Sequence, residues 1–353
     1  MRTPERILIA RTDRLGDLVL STPVIKNIRD YFPRSRISFL CRPYTREVLE
    51  GNPWLDEVII YDKYGKDKSF AASLRFAESL RKKRFDLALI LHPTLRMHLL
   101  TFLAAIPVRA GWKWSKGSFL LNRGFRHLKH KGQKHELEYN LDLLRGLGIP
   151  VETKTMYFPL KKESQDRIKE LLQSRGVGDK DLLIVLHPAA SCPSRRWPIA
   201  HFSLLSGFLQ KDLKVKIAVI STEKEKDQTE QLLRDHREMV DLRGRLDVSG
   251  LGALLDRADL LIANDSGPVH IAAALDTPVI SIFSRNDPGL SPRRWQPLGM
   301  RSFYLHKDVG CRQCLAHNCQ KGFLCLEAIS PEEVSDLAHQ IIDSGFYRKR
   351  KKL

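Results

Sequence analysis

Short apolar segments alternate with longer amphipathic segments along this chain, and that alternation constrains the fold more than any other feature. The run Arg6-Ile-Leu-Ile-Ala10 precedes a polar turn, and a helical pattern then extends over 17–31. Further apolar runs of strand length lie at 37–40, 58–61 and 87–91, and a second helical pattern covers 69–83. Strands that alternate with helices predict βαβ units around a parallel sheet.

The pattern begins again in the second half, after an extended connector at 151–162 and a helical pattern at 164–174. New strand-length runs lie at 182–186, 215–220, 260–263 and 279–283. A chain of 353 residues is long enough for two domains. We predict an α/β protein with Rossmann-like domains at 1–160 and 161–345 and a basic tail at 346–353. The final predicted helix, 331–344, is assigned to the second domain, and packing back on the first is the alternative.

Positive charge is concentrated in the first half. The chain has a formal net charge of +18, and residues 1–150 contain 28 Lys and Arg against 15 Asp and Glu. Residues 151–347 are neutral overall. This asymmetry predicts an anionic partner for the first half, which could be nucleic acid, a membrane surface or an acidic substrate.

The composition, with 42% hydrophobic and 28% charged residues, excludes a disordered chain and a disulfide-dense small protein. The longest apolar candidate for a membrane span, 87–108, is interrupted by His92, Arg96 and His98. The first residues lack the apolar core of a signal peptide. We therefore expect a cytoplasmic protein whose six cysteines are reduced unless they bind metal.

The segment Asn264-Asp-Ser-Gly-Pro-Val-His270 follows a predicted strand and opens a predicted helix. The N–H groups and positive dipole end of a helix N-terminus attract anions. Ser266 adds a hydroxyl, Gly267 permits close approach, and His270 lies one turn further on. The segment predicts a phosphate cradle or, equally well, a helix that is capped by Asp265 or Ser266.

A second segment has a similar position and composition, and we expect it to bind the same ligand. His187-Pro-Ala-Ala-Ser191 also follows a predicted strand, and Ser194-Arg-Arg-Trp-Pro198 comes next. Arginine forks match phosphate oxygens, so this loop suits a diphosphate, and the alternative is a surface loop with solvated arginines. The turn at 11–17 has one glycine rather than the three of a dinucleotide loop, which argues against a hydride-transfer enzyme.

Asp17 is placed at the start of the first predicted helix. A carboxylate there complements the helix dipole, or it acts as a general base that activates a hydroxyl. Arg11 or Arg14 would keep it ionised or would hold an anionic co-substrate.

Three motifs together resemble the ADP-heptose:lipopolysaccharide heptosyltransferases, which form glycosyltransferase family 9. The segment 11–23 is similar to the family's opening motif, and 194–198 to its Lys-Arg-Trp-Pro motif, with Arg195 where Lys is more frequent. The segment 264–276, followed by Asp287-Pro-Gly289, resembles its donor-site motif. The resemblance implies a GT-B fold, in which two Rossmann-like domains, one for the acceptor and one for the donor, face a central cleft.

The resemblance also implies inverting, metal-independent transfer of heptose from ADP-heptose to the inner core of lipopolysaccharide, with no cofactor. Asp17 would be the general base. The implied donor-binding residues are Ser191, Arg195, Glu225, Asp265, Ser266, Gly267 and His270. Glu225 matches the family loosely, and Glu223 or Asp227 could serve instead.

The anionic, membrane-bound acceptor explains the basic first half. Candidate acceptor contacts are Arg11, Arg14, Lys63 and Lys66, joined by Arg96 and Arg123. Solvated surface positions are the alternative for the two lysines and for Arg96 and Arg123. We expect peripheral association with the cytoplasmic face of the inner membrane, to which each basic residue of the tail would add about 1 kcal/mol. No nucleic-acid partner is expected, and the sequence leaves the oligomeric state open.

Four cysteines, Cys311, Cys314, Cys319 and Cys325, lie within fifteen residues. This spacing is compatible with a structural zinc site, and reduced thiols or disulfides are the alternatives. No metal is expected in catalysis.

Two other functions remain open from the sequence. One is a GT-B enzyme that uses another nucleotide-sugar, either a different transferase or a UDP-sugar 2-epimerase. The other is a basic nucleic-acid-binding protein, although the sequence offers no recognition helix or aromatic stacking platform for that role.

Overall fold

The computed structural model describes residues 3–113 and 116–345. These residues fold into two units that divide near residue 160. The first unit contains the described residues up to His130 together with Lys134–Pro159, and the second contains Lys131–Gln133 and the described residues from Leu160 onward. The basic tail at 346–353 lies outside the described residues.

The first unit is a parallel six-stranded sheet with helices. Its strands are β1 (Arg6–Ala10), β2 (Arg36–Cys41), β3 (Glu57–Ile60), β4 (Leu87–Ile90), β5 (Val108–Lys113) and β6 (Arg123–Arg126), in the order β3-β2-β1-β4-β5-β6. Its helices are α1 (Leu15–Val19), α2 (Thr22–Tyr31), α3 (Phe70–Lys82), α4 (Leu95–Leu103) and α5 (Glu136–Gly146). Every pairing is parallel, as the alternating pattern predicts.

The second unit repeats this architecture. Its strands are β7 (Leu183–His187), β8 (Lys216–Val219), β9 (Val240–Asp241), β10 (Leu260–Asn264), β11 (Val279–Phe283) and β12 (Ser302–His306), in the order β12-β11-β10-β7-β8-β9. Its helices are α6 (Lys162–Gln173), α7 (Ile199–Leu213), α8 (Glu230–Asp235), α9 (Val248–Arg257), α10 (Gly267–Ala274), α11 (Pro292–Trp295), α12 (Leu324–Glu327) and α13 (Pro331–Asp343). The prediction of an α/β chain with two Rossmann-like sheets is confirmed.

Two helices differ from their predicted form. The single helix at 17–31 is two helices, because Pro23 lacks an N–H and occupies the first turn of α2, which starts a new helix there. The first of these helices, α1, begins at Leu15, so Asp17 lies inside it rather than at its first residue. The final helix, α13, packs on α7, and Val334, Ala338 and Ile341 are part of the second unit's core. The last helix is therefore part of the second unit.

The central strands of both sheets are almost completely buried, which fits their continuous apolar sequences. At the carboxyl ends of parallel strands, loops collect polar groups, and both candidate sites lie there. Among the helices of the described ranges, none combines the length and apolar composition that are needed to span a membrane.

Candidate active site

The first site begins where β1 ends. Arg11 and Asp13 follow that strand directly, α1 carries Asp17, and the first turn of α5 brings Glu136 to the same place. The Arg11 guanidinium donates to the two carboxylate oxygens of Asp13 at 2.9 Å each, to Oδ1 of Asp17 at 2.6 Å and to Oε1 of Glu136 at 3.1 Å. Lys129 donates to the same Glu136 oxygen at 2.6 Å. One arginine thus joins three carboxylates.

Arg11 is buried, with 3% of its surface exposed. Its remaining terminal nitrogen donates to Oγ of Ser21 at 3.1 Å and to Oδ1 of Asn140 at 2.9 Å, so each guanidinium nitrogen has a protein partner. This corrects the prediction that Arg11 contacts the acceptor. Arg11 instead orients Asp17, because a buried, fully bonded guanidinium fixes the carboxylate beside it.

The two aspartates have opposite pKa shifts. Burial raises the pKa of Asp17 to about 7, and the negative charge of Asp13 adds to this effect. Burial also acts to raise the pKa of Asp13, but the attraction of Arg11 outweighs it, and the pKa of Asp13 is lowered. A pair of carboxyl groups with separated pKa values is typical of acid–base sites, and Asp17 is suited to exchange protons near neutral pH.

Four residues beside this site were not singled out as site residues from the sequence. His92 follows β4, and burial lowers its pKa to about 4, so its imidazole is neutral. Within the described residues, its buried Nδ1 has no hydrogen-bond partner. The Tyr44 hydroxyl donates to the backbone oxygen of Asp13 at 3.0 Å, and the Arg42 guanidinium lies 4.5 and 4.6 Å from the ring centres of Tyr44 and Tyr64.

The other candidate acceptor contacts occupy different environments. Arg14 is exposed at the start of α1, and Lys66 is exposed in the loop after β3. Lys63 lies 5.2 Å from the ring centre of Tyr64. Arg96 instead donates to the backbone oxygens of Lys63 and Lys68 at 3.2 and 3.1 Å, so it fastens this loop to α4. Arg123, on the edge strand β6, is exposed.

The second site begins where β7 ends, at the loop that carries Ser191 and Arg195. Arg195 donates to Oγ of Ser191, to the backbone oxygen of Asp265 at 3.1 Å and to Sγ of Cys192 at 3.3 Å. Only 12% of its side chain is exposed. The alternative of a solvated surface arginine is therefore wrong.

Asp265 follows β10 and lies between two arginines. Arg285 donates to its Oδ2 at 2.9 Å, and a terminal nitrogen of Arg195 lies 3.8 Å from the same oxygen. Two guanidinium groups against one carboxylate give a local excess of positive charge beside the N-terminus of α10. This arrangement suits a diphosphate, which would accept hydrogen bonds from both arginines. Arg285 was not identified from the sequence.

Ser266 occupies the N-cap position of α10 but makes no capping hydrogen bond. Its hydroxyl lies 3.0 Å from Nδ1 of His187, at the end of β7. Burial lowers the pKa of His187 to about 4, so this contact is between neutral groups. Gly267 begins the helix, and His270 is buried in its first turn. A helix whose N-cap side chain bonds elsewhere fits the phosphate-cradle interpretation better than the capped-helix one.

Among the three acids proposed near the donor, Glu225 is the one that acts electrostatically on His187 at the end of β7. Its carboxylate accepts from the backbone N–H and the hydroxyl of Thr222, at 3.2 and 2.6 Å, and forms a capping box. Burial lowers the pKa of His187, whereas the negative charge of Glu225 acts to raise it. Glu225 therefore lies near the end of β7. Glu223 instead pairs with Lys226 at 2.8 Å, and Asp227 is exposed.

The four clustered cysteines line one cavity of 370 Å³ in the second unit. All four are free thiols. Within residues 3–113 and 116–345, no three His, Cys, Asp or Glu side chains are grouped so that they could hold a metal ion. Cys311, Cys314, Cys319 and Cys325 share this cavity, and the structural zinc site stays a prediction.

Solved structures share this two-unit architecture. A glycosyl transferase family 9 protein from Veillonella parvula has a TM-score of 0.86 at 22% identity, over 96% of this chain and 98% of that one. Escherichia coli heptosyltransferase WaaC with ADP has a TM-score of 0.73 at 19% identity, over 95% and 99%. The fold is therefore the expected GT-B fold.

Sequence comparison narrows the class. Lipopolysaccharide heptosyltransferase 3 of Escherichia coli is 29% identical over 287 residues, which are 77% of this chain and 81% of that protein. The profile of glycosyltransferase family 9 (heptosyltransferase) matches residues 73–324, most of the chain. The chain belongs to that family and is a glycosyltransferase. Neither the epimerase nor the nucleic-acid-binding alternative is favoured.

Proposed function

We propose that this enzyme transfers heptose, with inversion, from ADP-heptose to a hydroxyl group of the lipopolysaccharide inner core. Membership of the heptosyltransferase family supports the reaction, and its relatives include a lipopolysaccharide heptosyltransferase and a heptosyltransferase with ADP. The observation that carries the mechanism is Asp17, a carboxylate at a strand-end site whose pKa is raised to about 7.

Asp17 acts as the general base. Arg11 holds its Oδ1, and Oδ2 takes the proton from the acceptor hydroxyl as that oxygen attacks the anomeric carbon. A new C–O bond forms on one face of the sugar while the bond to the diphosphate breaks on the other, which inverts the configuration. A base whose pKa lies near the working pH both ionises and accepts a proton efficiently.

Arg195 and Arg285 stabilise the departing ADP. Both guanidinium groups lie against Asp265, and a bound diphosphate would exchange that carboxylate for phosphate oxygens. Because two fixed cations neutralise the negative charge that develops on the leaving diphosphate, the reaction does not require a divalent metal. Ser191, Ser266, Gly267 and His270 complete the donor contacts, and Glu225 binds the ribose.

The acceptor is an anionic sugar. Arg42 and Lys63 supply positive charge, and the rings of Tyr44 and Tyr64 supply flat apolar faces for a sugar ring. Arg14, which follows Asp13 in the sequence, and Lys66, close to Lys63, are exposed and supply further positive charge. Since this acceptor is attached to lipid, the enzyme acts at the cytoplasmic face of the inner membrane.

Asp17→Asn tests the proposal, because it keeps the shape of the side chain and removes the base. We expect the rate of ADP release in the presence of acceptor to fall by about 10²–10⁴-fold, while calorimetry gives an ADP affinity within about twofold of the native value. Asp30→Asn, which changes an exposed carboxylate paired with Lys26, is the matched control and should retain activity. Equal loss of ADP binding in Asp17→Asn would contradict the base assignment.

Titration of the native chain with ADP, UDP and GDP tests the donor separately. We expect selective binding of ADP, weakened in Arg285→Ala, because that variant loses one of the two guanidinium groups that would bind the diphosphate. A preference for UDP would instead indicate another nucleotide-sugar.

A further inference from the structure

Helix α4 is apolar on two faces. Met97 and Leu100 point into the core of the first unit and are almost completely buried. The exposed residues are also apolar: Leu95, Leu99, Phe102 and Leu103. Their spacing of four, three and one residues places them along one stripe of the helix. An amphipathic helix of a soluble protein normally carries polar residues at such positions.

Two neighbouring elements extend this stripe. Helix α3 packs on α4, and two of its apolar residues are exposed: Phe70, with 75% of its surface accessible to solvent, and Leu74. The 3₁₀ turn Ser118–Leu120 also packs on α4, and its Phe119 has 79% of its surface accessible to solvent. We name these residues the outer apolar surface: Phe70, Leu74, Leu95, Leu99, Phe102, Leu103 and Phe119. Clusters of exposed large apolar side chains mark interaction sites.

The segment that carries this surface is rich in cations. Residues 63–126, which contain all seven members, have 14 Lys and Arg against 3 Asp and Glu. The Arg109 guanidinium lies 5.4 Å from the ring centre of Phe102, within the surface itself. Arg96 binds the backbone of the loop after β3, and that bond holds the exposed Lys66 and Lys68 close to α4. Arg75 on α3 and Lys116 beside the turn are exposed as well.

We propose that the outer apolar surface docks onto a lipid bilayer with anionic headgroups. The leucine and phenylalanine side chains enter the headgroup–acyl boundary, and the Lys and Arg side chains contact lipid phosphates. Leucine and aromatic side chains combined with a cationic rim are the composition of interfacial membrane-binding elements. A protein partner fits less well, because protein interfaces are depleted in lysine.

The inference rests on the proposed function in one respect, since a lipid-attached acceptor gives the docking its purpose. The docking orients the first unit, which carries Asp17 and the acceptor groups, toward the surface from which such an acceptor extends. It also assigns membrane binding to a folded surface of this unit, in addition to any contribution of the basic tail.

Flotation of the full chain with vesicles tests the proposal. Vesicles of phosphatidylcholine with phosphatidylglycerol should bind the chain, and vesicles of phosphatidylcholine alone should bind it at least tenfold less. The double substitution Leu99→Glu/Phe102→Glu, at two exposed positions, should reduce binding to the anionic vesicles at least tenfold. Leu204→Glu, at a position on α7 that is 54% exposed, is the matched control and should bind as the native chain does.

Three results would overturn the proposal: no binding of the native chain to anionic vesicles, native-like binding of the double variant, or equal loss in Leu204→Glu. A double variant that changes the sedimentation mass without changing vesicle binding would identify a protein–protein surface instead. Circular dichroism and thermal unfolding of each variant verify that the fold is intact. If the native chain floats with anionic vesicles but does not select ADP, the proposed function fails and the docking surface stands.

Discussion

The substitution Asp13→Asn should make the enzyme more active in mildly acidic solution. Asp13 raises the pKa of Asp17 through its negative charge and also occupies two N–H groups of Arg11. Asparagine keeps an oxygen for Arg11 but removes the charge, so the pKa of Asp17 should fall from about 7 by about one pH unit, or about 1.4 kcal/mol. At pH 6 the ionised fraction of Asp17 would then rise from about a tenth to about a half.

The assay is kcat/KM for ADP release, measured between pH 5 and 9. The native chain should gain activity as the pH rises through about 7, because the base must be ionised in the free enzyme. Asp13→Asn should shift this midpoint downward and increase the rate at pH 6 about fivefold, with a plateau at or below the native one because a weaker base transfers protons less efficiently. Asp30→Asn should leave the midpoint unchanged. A midpoint that stays in place or moves upward in Asp13→Asn would refute the electrostatic argument.

Three further outcomes follow from the contacts. Arg195→Ala should weaken ADP binding about tenfold or more, since a charge-assisted hydrogen bond contributes about 1.5–3 kcal/mol, and an unchanged affinity in calorimetry would remove Arg195 from the donor site. Glu136→Gln should lower the free energy of unfolding in urea by about 3 kcal/mol, because Arg11 and Lys129 lose a buried counter-charge; the part-exposed Glu138→Gln should lose under about 1 kcal/mol, and equal losses would contradict this reasoning. Iodoacetamide should modify Cys192 before the other described cysteines, since hydrogen bonds from Ser194 and Arg195 outweigh partial burial and lower its pKa, and ADP should slow the reaction as followed by peptide mass spectrometry.

The sequence predicted the central strands well for a physical reason. Strands such as β1, β4 and β10 are buried on both faces, so each is a continuous apolar run that stands out between polar loops. The edge strands β6, β9 and β12 gave no such signal, whereas the edge strand β3 was predicted from its apolar run. β6 reads Arg-Gly-Phe-Arg and β12 is only half-buried, because an edge strand that meets solvent keeps polar and charged side chains.

Some residues of the candidate sites could be proposed from the sequence, and others could not. Asp17, Arg195 and the segment from Asp265 to His270 could be proposed from the sequence because each belongs to a local motif. Glu136 was missed because its partner Arg11 lies 125 residues away along the chain, and a contact at that separation leaves no local pattern. The same contact shows why Arg11 was misassigned, since a basic residue beside a candidate base suggests a ligand contact until its burial is known.

The ion-pair network around Arg11 also determines how the enzyme must cycle. Arg11 and Lys129 contribute two positive charges, and Asp13, Asp17 and Glu136 contribute three negative ones when all are ionised. In the proposed mechanism the network is therefore anionic before transfer and neutral once Asp17 has taken the acceptor proton. A neutral cluster does not hold the product by charge. Return of that proton to water is then a step of every turnover, and with the pKa of Asp17 at about 7 it is favourable only at neutral or higher pH.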